Sequence, residues 1–74
     1  MDIKNIELTF RFRWKRNARG ISLENLSELT GISVSQLSDI ERNKKMPSFD
    51  KIVKIALALD VGVNEIYEVK YKNE

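Results

Sequence analysis

Two short apolar-periodic segments, each opened by a serine and separated by a Thr-Gly step, lie within residues 22 to 41. They constrain this chain more than any other feature. Ser22 follows Gly20 and Ile21 and stands where a hydroxyl can accept from the free amides of the next turn. The spacing predicts a helix over residues 23 to 29, with Leu23, Leu26 and Leu29 inward. Thr30 and Gly31 end it, glycine adopting the left-handed C-terminal turn at little cost. Ile32 is the expected buried hinge. Ser33 opens the next helix, and Ser33 with Gln36 fits the capping-box pattern. Leu37 and Ile40 fall on its inward side, and Val34, Ser35, Gln36, Ser38 and Asp39 on or near the outward side, with the end expected near Arg42. Neither helix is long enough to be stable alone, so packing must hold both.

The flanking regions supply the packing. Leu8 and Phe12 form an i, i+4 pair, which predicts a helix over residues 7 to 18 with residues 2 to 6 extended. Phe10, Phe12 and Trp14 also alternate with Arg11 and Arg13, the period of a strand, so a strand within residues 2 to 12 is the competing reading. Residues 43 to 47 read as a basic loop. Ser48 can cap a helix over residues 49 to 59, whose apolar face is Phe49, Ile52, Val53, Ile55, Ala56 and Leu59. Gly62 can cap a last short helix over residues 63 to 67. In the tail, Tyr67, Val69 and Tyr71 alternate with Glu68, Lys70 and Lys72, a strand signal that could pair with an extended segment around Ile3. The expected fold is all-α, a compact bundle of about five short helices with a short two-stranded terminal sheet.

Composition narrows the function classes. A chain of 74 residues predicts one domain, residues 1 to 74, with no room for a separate catalytic or ligand-binding unit. It has no cysteine and no histidine, which removes thiolate chemistry, the commonest general base and the commonest metal ligand. No nucleophile or acid–base pair has the spacing of an active site, so no catalytic residue, metal or cofactor is expected. Charge breaks up the apolar residues of the N-terminus, and the longest apolar run, residues 55 to 59, is far short of a membrane span. A cytoplasmic chain with no membrane partner is the expectation. Net charge is +2, but residues 11 to 54 hold ten Lys or Arg against five Asp or Glu, and the ends are acidic. A basic middle attracts a polyanion.

The turn over residues 30 to 33 has the length that joins two helices at a steep angle. Residues 22 to 42 then form a helix-turn-helix unit whose second helix fits a major groove about 12 Å wide. The chain resembles the Cro-and-repressor-type (XRE-like) helix-turn-helix family of phage and bacterial regulators. The resemblance rests on Arg16, Gly20-Ile21-Ser22, the run from Leu26 through Ser33, the run from Ser35 through Asn43, Pro47-Ser48 and Leu59-Asp60-Val61, in that order. It implies a lambda-repressor-like bundle of about five helices, with residues 33 to 42 as the recognition helix. Val34, Ser35, Gln36 and Asp39 stand at positions implied to read base edges. A hydroxyl pairs with several bases, a carboxylate accepts from cytosine N4, and an aliphatic group meets the thymine methyl. Ser22, Ser33, Ser38, Arg42, Asn43, Lys44 and Lys45 stand at positions implied to meet the DNA backbone. Arg16 and Glu41 look like the family's structural ion pair, a bidentate arrangement that would orient the recognition helix.

Two positions depart from the family pattern. Leu23 stands where many members have glutamine against phosphate. Lys15 stands where an apolar core residue is usual, so either its aliphatic stem is buried or Trp14 fills the space. The three aromatics Phe10, Phe12 and Trp14 are expected in core or dimer packing rather than as a stacking platform for single strands. The expected function is sequence-specific binding of double-stranded DNA by a transcription regulator, a repressor acting as a homodimer on a palindromic operator. The dimer surface is expected within residues 63 to 71. With no ligand domain, control would come from a regulatory protein partner or from concentration. The alternatives are a DNA-binding antitoxin of a toxin–antitoxin pair, and a protein-interaction module of the same fold.

Overall fold

The computed structural model describes residues 3–71. A strand, β1 (Ile6–Phe10), leads into α1 (Arg13–Ala18), α2 (Leu23–Thr30), α3 (Val34–Glu41) and α4 (Phe49–Ala58). A single 3-10 turn (Val63–Glu65) and a second strand, β2 (Tyr67–Tyr71), follow. The strands pair antiparallel, with Leu8 opposite Val69 and Phe10 opposite Tyr67. Among the described residues there are four α-helices and a two-stranded sheet, where about five helices were expected. The missing helix is the last one, which stops after Glu65 because the chain turns at once into β2.

The N-terminal segment also differs from the helix expected over residues 7 to 18. Residues 6 to 10 form a strand instead of the first turns of a helix, and α1 begins only at Arg13. Pairing explains the outcome. As a strand the segment turns Ile6, Leu8 and Phe10 to one face, opposite Tyr71, Val69 and Tyr67. As a helix it would satisfy its own backbone but leave β2 without a partner. The tail strand is where the alternation placed it, with its partner a few residues after Ile3, which is exposed.

The core comprises Phe10, Phe12, Leu26, Ile32, Leu37, Ile40, Ile55, Ala56, Leu59 and Ile66. Phe10 and Phe12 therefore behave as core residues, whereas Trp14 is 75% exposed and does not. Lys15 lies half-buried instead, its Nζ 3.2 Å from Glu65 Oε1 and 5.7 Å from the centre of the Trp14 ring. Stem burial accounts for that position.

Some positions expected on inward faces are not buried. Leu29 is 63% exposed because Thr30 takes the inward site one turn after Leu26. The Thr30 hydroxyl donates to the Leu26 carbonyl at 2.7 Å and accepts from the Ile32 amide at 3.2 Å, so its burial leaves no polar atom unpaired. Phe49, at the start of α4, is 70% exposed, and Ile52 and Val53 are only half-buried. The phase of α4 is set by Ile55, Ala56 and Leu59, which are buried.

Candidate nucleic-acid interface

The geometry of α2 and α3 is built from caps. The Asn25 amide donates to Ser22 Oγ at 3.0 Å, and the Ser22 amide donates back to Asn25 Oδ1 at 3.3 Å. Gly31 ends α2 with φ 77° and donates its amide to the Ser27 carbonyl. Ser33 Oγ accepts from the Gln36 amide at 3.1 Å, opening α3. The complete capping box thus forms at Ser22 with Asn25, and Ser33 with Gln36 forms only the serine half. The Gln36 side chain stays exposed.

Leu37, Ile40 and Glu41 are the inward residues of α3. Ser35 and Gln36 are exposed, and Val34, Ser38 and Asp39 are half-buried. The five outward positions read from the sequence therefore lie away from the buried side of α3. Arg42, Lys44 and Lys45, all exposed, follow directly at its C-terminal end. The loop is pinned by Lys44 donating its amide to the Asp39 carbonyl at 2.8 Å and Asn43 donating to Ile40 at 3.0 Å. The result is a polar helix face continued by a cationic loop, a combination suited to base edges and phosphates respectively.

Glu41 holds this unit to α1. Its carboxylate accepts from Arg16 Nε at 3.0 Å and Arg16 Nη2 at 3.0 Å. The third arm of Arg16 donates to the Ile21 carbonyl at 2.9 Å. The expected pair is therefore present and bidentate, and it also ties down the chain entering α2. Arg13 Nε adds a third bond to Glu41 at 3.1 Å. Sequence reasoning passed over Arg13, although it lies three residues before Arg16 on the same helix face. Burial alone would raise the Glu41 carboxyl, but the hydrogen bonds and charges of Arg16 and Arg13 outweigh it and hold the group below the usual carboxylate range.

Asn43, expected at the DNA backbone, is exposed, and its carboxamide also makes contacts within the chain. It adopts φ 59°, a left-handed conformation that asparagine tolerates. Its Oδ1 accepts from the Phe10 amide at 2.6 Å, and its Nδ2 donates to the Phe10 carbonyl at 3.1 Å. The carboxamide thus acts as a one-residue strand partner on the outer edge of β1. A side chain that copies a peptide group 33 positions away has no local signature in the sequence. Leu23, where many family members have glutamine, packs against the core.

A helix-turn-helix family profile matches residues 12–66, most of the chain. This chain belongs to the Cro-and-repressor-type helix-turn-helix family. Members named as HTH-type transcriptional regulators are similar to it. SinR of Bacillus subtilis is 37% identical over 65 residues, covering 86% of this chain and 59% of SinR. The SPbeta prophage-derived regulator YopS of Bacillus subtilis is 43% identical over 53 residues, covering 70% of this chain and 72% of YopS. The chain thus spans about three fifths of SinR. Among solved structures, the restriction-modification controller protein C.AhdI of Aeromonas hydrophila superposes with a TM-score of 0.71 at 38% identity, covering 74% of this chain and 83% of that one. The N-terminal DNA binding domain of SinR gives 0.67 at 39% identity, covering 72% and 78%. The family's members are DNA-binding transcription regulators.

Proposed function

We propose that the protein is a sequence-specific repressor of bacterial or phage transcription that binds a palindromic operator as a homodimer. The observation that carries this reading is the accessible face of α3, with Val34, Ser35, Gln36 and Asp39 continued by Arg42, Lys44 and Lys45. The first four read base edges in the major groove, and Ser22, Ser33, Ser38 and the cations after α3 contact phosphate. The names of SinR and C.AhdI, a regulator and a controller protein, support regulation as the biological role. One α3 touches few base pairs, so two subunits on half-sites about 34 Å apart supply the needed affinity and specificity. The protein acts in the cytoplasm, where operator DNA lies. It needs no cofactor and performs no catalysis. Selection of preferred sites from random double-stranded DNA tests the proposal. The expected result is a two-fold palindrome. Salt-sensitive binding without an enriched motif would overturn it.

A further inference from the structure

The sheet has one polar and one apolar face. Glu7, Thr9, Glu68 and Lys70 lie on one side, and Ile6, Leu8, Phe10, Tyr67, Val69 and Tyr71 on the other. The apolar side is incompletely covered, since Ile6, Val69 and Tyr71 remain exposed. Beside it, Leu8, Phe10, Phe49, Ile52, Tyr67 and Val69 line an apolar groove of about 300 Å³. A two-stranded sheet is marginal by itself, and continuous apolar patches on a regulator mark an interaction surface.

The two edges of this sheet differ. The Arg11 amide donates to the Ile66 carbonyl at 2.8 Å, continuing the β1–β2 ladder. Antiparallel alternation then turns the backbone groups of Glu68 and Lys70 toward β1, and those of Tyr67, Val69 and Tyr71 toward the free edge. On the β1 side the corresponding groups belong to Ile6, Leu8 and Phe10, and the Asn43 carboxamide already occupies those of Phe10. The β1 edge is therefore blocked, and the β2 edge is open among the described residues.

The sequence of β2 is Tyr-Glu-Val-Lys-Tyr, which is complementary to its own reverse. We propose that two copies of this chain join through an antiparallel pairing of β2 with β2, centred on Val69. This assigns the contact surface of the dimer and rests on the dimeric reading above. In that register Val69 meets the partner's Val69, and Tyr67 meets the partner's Tyr71. All three positions have their backbone groups on the free edge, so the hydrogen-bonding parity matches. Glu68 falls opposite the partner's Lys70, and Lys70 opposite the partner's Glu68, giving two opposite-charge pairs on the polar face. The apolar faces fuse into one surface, with the partner's Tyr71 next to Tyr67 at the groove. The same operation on β1 would put Glu7 opposite Thr9 and would clash with Asn43.

Charge exchange in the full-length chain tests this, read as dimer mass and dissociation constant by sedimentation equilibrium. Glu68→Lys alone and Lys70→Glu alone each put like charges across the axis twice and should weaken the dimer roughly ten- to thirtyfold. The double variant with both exchanges restores complementarity and should return to within about threefold of wild type. Val69→Pro removes an amide that points away from β1, so it should give a monomer with the helical circular-dichroism spectrum intact. If wild type is monomeric, or if neither exchange nor Val69→Pro alters the dimer, the proposal is wrong. Site selection distinguishes the two readings, because a palindrome recovered with an unaltered dimer would retain the regulator and remove the β2 interface.

Discussion

Replacing Glu41 by alanine removes the acceptor for two bonds from Arg16 and one from Arg13. The Arg16 side chain is 11% exposed and the Glu41 side chain 2%. Without its partner the Arg16 guanidinium keeps only the Ile21 carbonyl and a sliver of solvent. Breaking a fully buried pair costs about 3–5 kcal/mol. Arg16 keeps one acceptor and some water, and Arg13 is exposed, so the expected loss is roughly 2–4 kcal/mol. A chain of this size has about 4–11 kcal/mol in total. The melting temperature should therefore fall by roughly 10–30 °C. Denaturant and thermal unfolding of both proteins measure it. A double-mutant cycle with Arg16→Met isolates the pair from the cavity left by truncation. An unfolding free energy changed by less than about 1 kcal/mol, with operator binding reduced, would refute the structural assignment and place Glu41 at the DNA instead.

Four further outcomes are expected. Because the Glu41 pKa is lowered by folding, its contribution is fully present above the unfolded value of about 4.3 and is lost as pH falls through the folded value. The stability gap between wild type and Glu41→Gln should accordingly shrink on acidification below about pH 4, as followed by urea unfolding across pH. Asp39→Ala should alter the base preferences recovered by site selection, and an unchanged motif would remove Asp39 from base reading. Lys44→Ala with Lys45→Ala should weaken binding to all duplexes alike and reduce the slope of log affinity against log salt by up to about two. Leu26→Ala should cost about 2–5 kcal/mol, whereas Leu29→Ala should cost under about 0.5 kcal/mol, and equal losses would contradict the phase of α2.

The helix-turn-helix unit was legible because its determinants are local. Ser22, Gly31 and Ser33 each act within four residues, and all three have the backbone roles their chemistry suggests. Leu37 and Ile40 follow once the α3 register is known, and the Arg16–Glu41 pair came from the family resemblance. The N-terminal segment was ambiguous for the opposite reason. Leu8 and Phe12 satisfy a helical spacing, while Phe10, Phe12 and Trp14 satisfy a strand spacing. The deciding interaction comes from residues 67 to 71, almost the full chain away. Leu29 departs from the inward pattern because three leucines at steps of three drift around a helix, and a buried threonine can take the inward site when its hydroxyl finds partners inside the chain. The Arg13 bond and the Asn43 clamp depend on tertiary approach, and neither residue type carries that information.

The two bonds from Asn43 to Phe10 bear on how tolerant the regulator can be of its operator. They fasten the loop directly after the reading helix to the sheet, so the two are tied at that point. If the sheet also joins the subunits, the separation of the two reading heads is set by a rigid strut and not by a linker. Inserting one base pair between half-sites swings them apart by about a tenth of a helical turn. A stiff frame cannot follow that rotation without distorting either the sheet or the DNA. The chain would therefore discriminate among operators by spacer length as sharply as by base sequence, and a single carboxamide would be the part that makes it intolerant.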